Sequence, residues 1–356
     1  MRVKLEDVCE RGTSSLMQKD IVDKNGKYPV YGASGRIGSM ETYQQEHQTV
    51  AVVKDGAGIG RTMLLPEKSS IIGTMQYLIP KNCIEPEYLY YAVKYMHLEK
   101  YFSGATIPHI YFRDYKTEEF NLHNKTEQQE IISTLKRVEA VISNRREQLA
   151  MLDELVKARF VEMFGDKNYH YESLINLILD GTSLSYGIVQ PGNDGTGDMG
   201  VLRPVDIVDG KLTMSSIKYI DRSIGEGFKK TELDGDELLI TVRGTTGITA
   251  LTDGRFAGMN VTRGIAVIRY NRKKINPLYL NAYFNTDESQ RYIQEHTRGA
   301  TLQQINLSDL RIQRIMLPPL SLQNQFAAFV AEVDKSKLFA ELFAQNACIL
   351  AENRSK

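Results

Sequence analysis

The sequence predicts an α+β fold: two similar α/β domains with twisted β-sheets, separated by two long antiparallel helices that form a coiled coil, with pseudo-twofold symmetry. Three observations carry this expectation. An apolar stripe runs through Ile131, Leu135, Val138, Ile142, Leu149, Leu152, Val156 and Met163, with Arg145 at the seam position that one step of seven skips; this is the spacing of a heptad helix. Gly104 set against Gly299, 195 residues later, brings two long segments into register without a gap. Around these helices lie short β-rich runs punctuated by glycine, which favour strands and tight turns over helix.

Taken in order, residues 3–14 read as a short helix or strand running into a turn, and residues 174–183 open the second half in the same way. Residues 26–38 (G-K-Y-P-V-Y-G-A-S-G-R-I-G) hold four glycines and Pro29, which exclude helix and predict strand-turn-strand. An apolar strand over residues 49–54 leads into D-G-A-G-I-G-R-T at 55–62. That loop lacks the G-K-[ST] of a P-loop and the G-x-G-x-x-G spacing of a dinucleotide site. It reads as a tight hairpin whose backbone N–H groups and Arg61 can approach a phosphate. Residues 69–80 form a further strand pair, and 86–101 a helix rich in tyrosine. Those tyrosines fit packing better than base stacking.

Residues 126–164 contain no glycine or proline, and T-E-Q-Q at 126–129 has the form of an N-capping box. One helix of that length spans roughly 55 Å, too long and too apolar to stand alone. The second half repeats the plan. Residues 186–192 and 200–210 stand for the first glycine-rich stretch, 238–250 for the loop at Asp55, and 260–269 for the strand at 73–80. Residues 275–280 (I-N-P-L-Y-L) answer 84–89 (I-E-P-E-Y-L). In register, G-A-T-I-P-H-I at 104–110 lies over G-A-T-L-Q-Q-I at 299–305, and Gln128 over Gln323. Ile131, Leu135 and Val138 fall over Phe326, Val330 and Val333, and Leu149 and Leu152 over Ala344 and Ala347. Bulky residues facing alanines allow close interdigitation, so the expected helix-pair interface comprises these residues with Ile142 and Val156. The alternative is that each helix packs only on its own domain. The second helix is apolar on more than one face, which points to a further protein surface docking there.

Length suits two or three domains with real cores. Lys plus Arg and Asp plus Glu are 44 each, so no global basic field announces nucleic acid, and any such site rests on local patches. Three scattered cysteines make neither a disulfide framework nor a metal knuckle, which suits a reducing cytoplasm. No apolar leader region follows Met1, and no apolar run approaches ~18 residues, so neither secretion nor a membrane span is expected. Six isolated histidines give no metal motif. There is no nucleophile elbow and no acidic-prolyl methyltransferase loop; the only double proline is L-P-P-L at 317–320. These features favour a binding module over an enzyme.

On the repeated G-A-T-x-x-x-I with Asp114 or Asp309 downstream, the L-P-P-L-S-L-Q segment at 317–323 leading into a helix, and K-Y-P-V-Y-G-A-S-G-R-I-G, the chain resembles the specificity subunit of type I restriction-modification systems over essentially its whole length. In the first repeat L-P-P-L is replaced by L-H-N-K at 122–125. The resemblance implies target-recognition domains at 1–122 and 166–317, each followed by a conserved helical spacer at 123–165 and 318–356. It implies a non-catalytic subunit that reads two different half-sites in double-stranded DNA. It would assemble with two adenine methyltransferase subunits and, where a nuclease partner exists, two restriction-motor subunits. S-adenosylmethionine, Mg and ATP would then enter only through those partners. A non-DNA-binding coiled-coil scaffold and a self-contained DNA-modifying enzyme are the alternatives.

Phosphate contacts need basic and small polar groups at loop tips, and base readout needs forked Arg or amide side chains. On these grounds the DNA-binding candidates of the first domain are Ser34, Arg36, Lys54, Arg61, His109, Tyr111 and Arg113. Those of the second are Tyr186, Gln190, Arg243, Thr245, Arg263, Arg298, Gln303 and Gln304. The competing reading of each is a solvated surface or turn residue. Thr106 and Thr301 recur in both repeats and suit a shared structural role.

Overall fold

The first domain is organised by a strand buried on both faces. The chain enters through β1 (Arg2–Lys4), the single-turn α1 (Leu5–Val8) and β2 (Cys9–Thr13), then makes the hairpin of β3 (Tyr28–Gly32) and β4 (Gly35–Met40). Next come β5 (Thr49–Val53), β6 (Thr62–Leu65), β7 (Ser70–Ile71) and β8 (Met75–Pro80). β5 reads T-V-A-V-V with every residue buried, as branched side chains in a central strand should be. It lies between β8 and β6 in a sheet ordered β2-β8-β5-β6, and β4-β3-β7 makes a second sheet. The strand-turn-strand expected at 26–38 is the β3–β4 hairpin, whose turn holds Gly35 at φ +114°, a conformation that L-residues rarely adopt.

This is a computed structural model, and it describes residues 1–21, 25–104, 108–165, 167–192, 195, 197–300 and 302–355, without the side chains of 342 and 344–355. The chain divides into two compact units, Met1–Gln148 with Ala340–Lys356, and Leu149–Phe339. In the first, α2 (Pro86–Lys94) starts with Pro86 at its first turn, a position where the missing N–H has no cost. The helix expected to reach Tyr101 stops at Lys94. His97 takes a left-handed conformation (φ 53°, ψ 58°), and Leu98–Tyr101 forms a separate 3-10 turn. After α3 (Phe112–Tyr115), β9 (Glu119–Asn121) returns antiparallel to β1 and leads into α4 (Lys125–Phe164), 40 residues long. The capping box lies two residues before the one expected. Asn124 Oδ1 accepts from the Glu127 N–H, and Glu127 Oε2 accepts from the Asn124 N–H, both at 3.0 Å. Asn124 stands just before the helix, where an N-cap belongs, whereas Thr126 already lies within its first turn.

The second domain follows the same route. β10 (His170–Ser173) is succeeded by β11 (Met199–Leu202), the small hairpin β12 (Ile207–Val208) and β13 (Lys211–Leu212), β14 (Lys218–Ile220) and α5 (Arg222–Gly225). The core strand β15 (Leu238–Arg243) pairs with β16 (Thr245–Leu251) and, after β17 (Asn260–Val261), with β18 (Ile265–Ile268). Helices α6 (Pro277–Phe284) and α7 (Asp287–His296) precede β19 (Thr297–Arg298) and β20 (Gln304–Ile305), which extend the β15 sheet. α8 (Leu307–Ile312), β21 (Arg314–Leu317) and α9 (Leu320–Ser355) complete the chain. The expected strand at 260–269 is thus split into β17 and β18, with Thr262, Arg263 and Gly264 between them.

The internal repeat holds down to single hydrogen bonds. Gln128 is fully buried; its Oε1 accepts from the Glu85 N–H at 2.8 Å, and its Nε2 donates to the His123 carbonyl at 2.8 Å. Gln323, also fully buried, accepts from the Asn276 N–H at 2.9 Å and donates to the Pro318 carbonyl at 2.8 Å. Tyr88 Oη donates to the Asn121 carbonyl and Tyr279 Oη to that of Met316. The β1–β9 pairing recurs as β10–β21. Each set clamps the final strand of a domain, its proline-started helix and the first turn of a long helix.

The two long helices run antiparallel where their contacts are described. Arg145 lies over the Phe343 ring at 5.4 Å, Lys337 Nζ bonds Asp153 at 2.7 Å, Arg159 lies over Phe329 at 5.7 Å, and Phe160 packs edge-on against Phe326 at 5.4 Å. The stripe on α4 serves both cores, and Val156 packs against the second. Leu135 joins the first domain's core, with Ile131 and Val138 packed against it. Ile142, Leu149, Leu152 and Val156 are half-buried. Phe160, Met163 and Phe164 enter the second core beside Phe326 and Val330, and Val333 is buried on α9. Ala344 and Ala347, expected opposite Leu149 and Leu152, lie outside the described side chains.

Replacing Gln323 with alanine strands a buried N–H and a buried carbonyl, each costing about 1–3 kcal/mol. Urea unfolding followed by circular dichroism is expected to show Gln323→Ala less stable by roughly 2–5 kcal/mol. Gln190→Ala, at an exposed position, should change stability by under about 0.5 kcal/mol.

Candidate nucleic-acid interface

In the first domain the candidate residues gather where β5 ends. The Lys54 N–H donates to the Thr74 carbonyl at 3.0 Å, and Asp55 bridges to His109 across the sheet edge. Asp55 is the centre of this group: Lys54 Nζ lies 2.6 Å from its Oδ2, and His109 Nδ1 lies 2.7 Å from its Oδ1. An ionised carboxylate only accepts, so Nδ1 carries the proton and Nε2 is left for other partners. The His109 ring lies 6.3 Å from that of Tyr111 at 21°, and Arg113 lies 4.8 Å over Tyr111. Arg61, at the far end of the same loop, donates from Nη1 to the Ala33 carbonyl at 2.8 Å. That bond ties the loop to the β3–β4 hairpin tip, where Ser34 and Arg36 are exposed. The seven candidates of this domain therefore lie on three segments, the β3–β4 hairpin tip, residues 54–61 and residues 109–113, linked by the Arg61 bond to Ala33 and by the cluster around Asp55. Lys54 is a partner of Asp55 rather than a free cation.

In the second domain the gathering point is the end of β15. Arg243 pairs with Thr245 across a turn at Gly244, whose φ is +86°. Arg243 pairs on its other side with Gln304, and Gln304 pairs with Arg298. The Gly244 N–H donates to the Gln303 carbonyl at 2.9 Å. Arg263 stands beside Gly264, whose carbonyl accepts from the Val242 N–H at 2.8 Å, and its own N–H bonds the Ile188 carbonyl at 2.9 Å. Gln190 follows two residues beyond Ile188, and Tyr186 bridges to Ala266 further along. Arg203, Arg222, Arg255, Arg269 and Arg272 of this domain each pair with a carboxylate. Among the described residues no carboxylate pairs with Arg243, Arg263 or Arg298, so this edge carries uncompensated positive charge.

Sequence reading passed over Asp55 and Ser103. In the sequence Asp55 reads only as the first residue of a glycine loop, and the fold places it across from His109. Ser103 pairs with His109 in the same register that Arg298 keeps with Gln304. Thr106 and Thr301 lie outside the described residues.

A family model described as "Type I restriction modification DNA specificity domain" matches residues 1–152 and 196–342. The chain belongs to this family. A curated relative, the type I restriction enzyme EcoBI specificity subunit of Escherichia coli, is 25% identical over 160 residues, covering 45% of this chain and 34% of that protein. The match thus spans about a third of that relative's length. The type I restriction-modification S subunit from M. genitalium aligns over 100% of this chain and 95% of its own, with a TM-score of 0.57 and 14% identity. A chain from a structure on complex assembly and conformational transition of the type I R-M system aligns over 100% and 96%, with a TM-score of 0.55 and 16% identity. These two likenesses concern the fold. The two specificity-domain segments contain one candidate edge each; Tyr186 and Gln190 fall between them.

Asp55 is held below the usual carboxylate range. Burial opposes its ionisation, and hydrogen bonds from Lys54 and His109 outweigh that effect. A carboxyl depressed in the folded chain contributes stability that is present above its unfolded value and lost as pH falls through the folded one. Asp55→Asn is therefore expected to melt at a lower temperature than the wild type at pH 7. The difference should close as pH falls below about 4, as followed by thermal melts across that range.

Proposed function

We propose that this chain is the DNA-reading subunit of a type I restriction-modification assembly, recognising a bipartite, asymmetric site in double-stranded DNA. The observation that carries the reading is the pair of equivalent strand-end edges with unlike chemistry. One has an Asp55–His109 pair beside Tyr111, and the other has Arg243, Arg263 and Arg298, which pair with no carboxylate among the described residues. Two such edges suit two half-sites of different sequence, with the phosphate backbone bound by Arg36, Arg61, Arg113 and Arg263. Paired long helices suit a fixed unread spacer between the halves. Methylation or cleavage is assigned to partners, two adenine methyltransferase subunits and two restriction-motor subunits, which bring S-adenosylmethionine, Mg and ATP. Exposed apolar side chains on the helices, Met151, Val161, Phe339 and Phe343 among them, suit a docking surface for such partners. The free thiols of Cys9 and Cys83 agree with a reducing cytoplasm, and no described helix is long and apolar enough to cross a membrane.

The reading is tested by co-purification and by methylation mapping. The tagged full-length chain should bring down a methyltransferase from its host, and its deletion should remove one bipartite motif from the map of methylated adenines. Inserting four residues into α4, about 6 Å of helix, should lengthen the unread spacer and leave both halves intact. Methyl transfer from labelled S-adenosylmethionine by the isolated chain, or a methylation map unaffected by deletion, overturns the reading.

A further inference from the structure

Residues paired directly across neighbouring strands project from the same face of a sheet. Arg243 on β15, Gln304 on β20 and Arg298 on β19 are paired in this way, so their side chains form one row. With strands about 4.8 Å apart the row is about 10 Å from its first residue to its last, close to three base-pair steps of about 3.4 Å each, so it spans a run of four base pairs. The equivalent row in the first domain is Asp55, His109 and Ser103. The offset of 195 residues carries Ser103 onto Arg298 and His109 onto Gln304. Asp55 and Arg243 are likewise equivalent, each one residue beyond the position whose N–H bonds the carbonyl of Thr74 or Gly264.

The two rows differ in what they leave available. In the first, Asp55 is occupied by Lys54 and His109 and the Ser103 hydroxyl donates to the His109 carbonyl at 3.2 Å, leaving the imidazole Nε2. In the second, two guanidinium forks flank a carboxamide, and among the described residues no carboxylate neutralises either arginine. A guanidinium fork matches the O6 and N7 acceptors of guanine in the major groove, and a carboxamide matches the N6 donor and N7 acceptor of adenine.

Resting on the DNA reading proposed above, we infer that Arg243, Gln304 and Arg298 are the specificity-determining row of the second domain. They read three base pairs within a run of four, a guanine facing each arginine and an adenine facing Gln304, on either strand. The homologous row of the first domain discriminates through the single His109 edge and carries no guanine fork. This makes the second half-site the more stringent of the two at these positions.

The test is a map of methylated adenines in the host with the wild-type chain, Arg243→Gln, Arg298→Gln or Gln304→Glu, each as the full-length chain in its native complex. Each variant should change one base position of one half-site and leave the other half untouched. Arg243→Gln and Arg298→Gln should move their positions from guanine towards adenine, and Gln304→Glu should move its position from adenine towards cytosine. Each preference should shift roughly ten- to hundredfold. Selection from a randomised duplex library by the purified complexes gives the same readout if a variant methylates too slowly to map. An even loss across all sequences, which marks a phosphate contact, overturns the inference, as does an unchanged motif or a change in both halves. If the wild-type chain itself governs no methylated motif, it is the underlying DNA reading that fails.

Discussion

A buried amide sets the geometry on which the rest of each domain depends. Gln128 and Gln323 sit in the first turn of a long helix with no access to water, and each both accepts and donates. A carboxamide left unsatisfied there costs more than the bonds gain, so only one placement of helix start, final strand and proline-started helix satisfies it. Hydrophobic packing around it is permissive: the first core uses Leu135 with Ile132, the second Phe326 with Phe160 and Phe164. The polar clamp is identical in both, while the apolar neighbours are exchanged freely.

No residue of either strand-end edge takes part in that clamp, so the edges can differ while it is kept. At the far ends of β5 and β15 the backbone register is shared, but the side chains are not. One edge has an ion-paired carboxylate supporting an imidazole, the other guanidinium groups that meet no carboxylate among the described residues. The charges differ in sign at equivalent points while the chain's formal net charge is zero. A global charge balance therefore says little about either edge, because fields near the surface are screened within about 10 Å.

The long helices show the limits of a periodic pattern. The stripe on α4 is continuous in the sequence, yet in space its start serves the first core and its end the second. A heptad states which side of a helix is apolar and not what that side meets. The Asn124 cap and the break at His97 were misplaced for a related reason. Threonine and asparagine caps share one sequence pattern, and a left-handed histidine within an aromatic run leaves no mark in composition. Asp55 was missed because its partner lies 54 positions away in the chain, a contact created only by bringing the 108–110 segment onto the end of β5.

By itself the sequence determined the α+β class, the duplication with its register, the two long helices, and nearly all the basic and amide residues at the strand ends. These are local or repeated features, written in spacing and residue type. Only the tertiary structure decided which of those residues share a row, which cations are already neutralised, and where the helix stripe changes partner. Such facts arise from pairing between strands distant in the chain, where one hydrogen-bonded register fixes what each side chain faces.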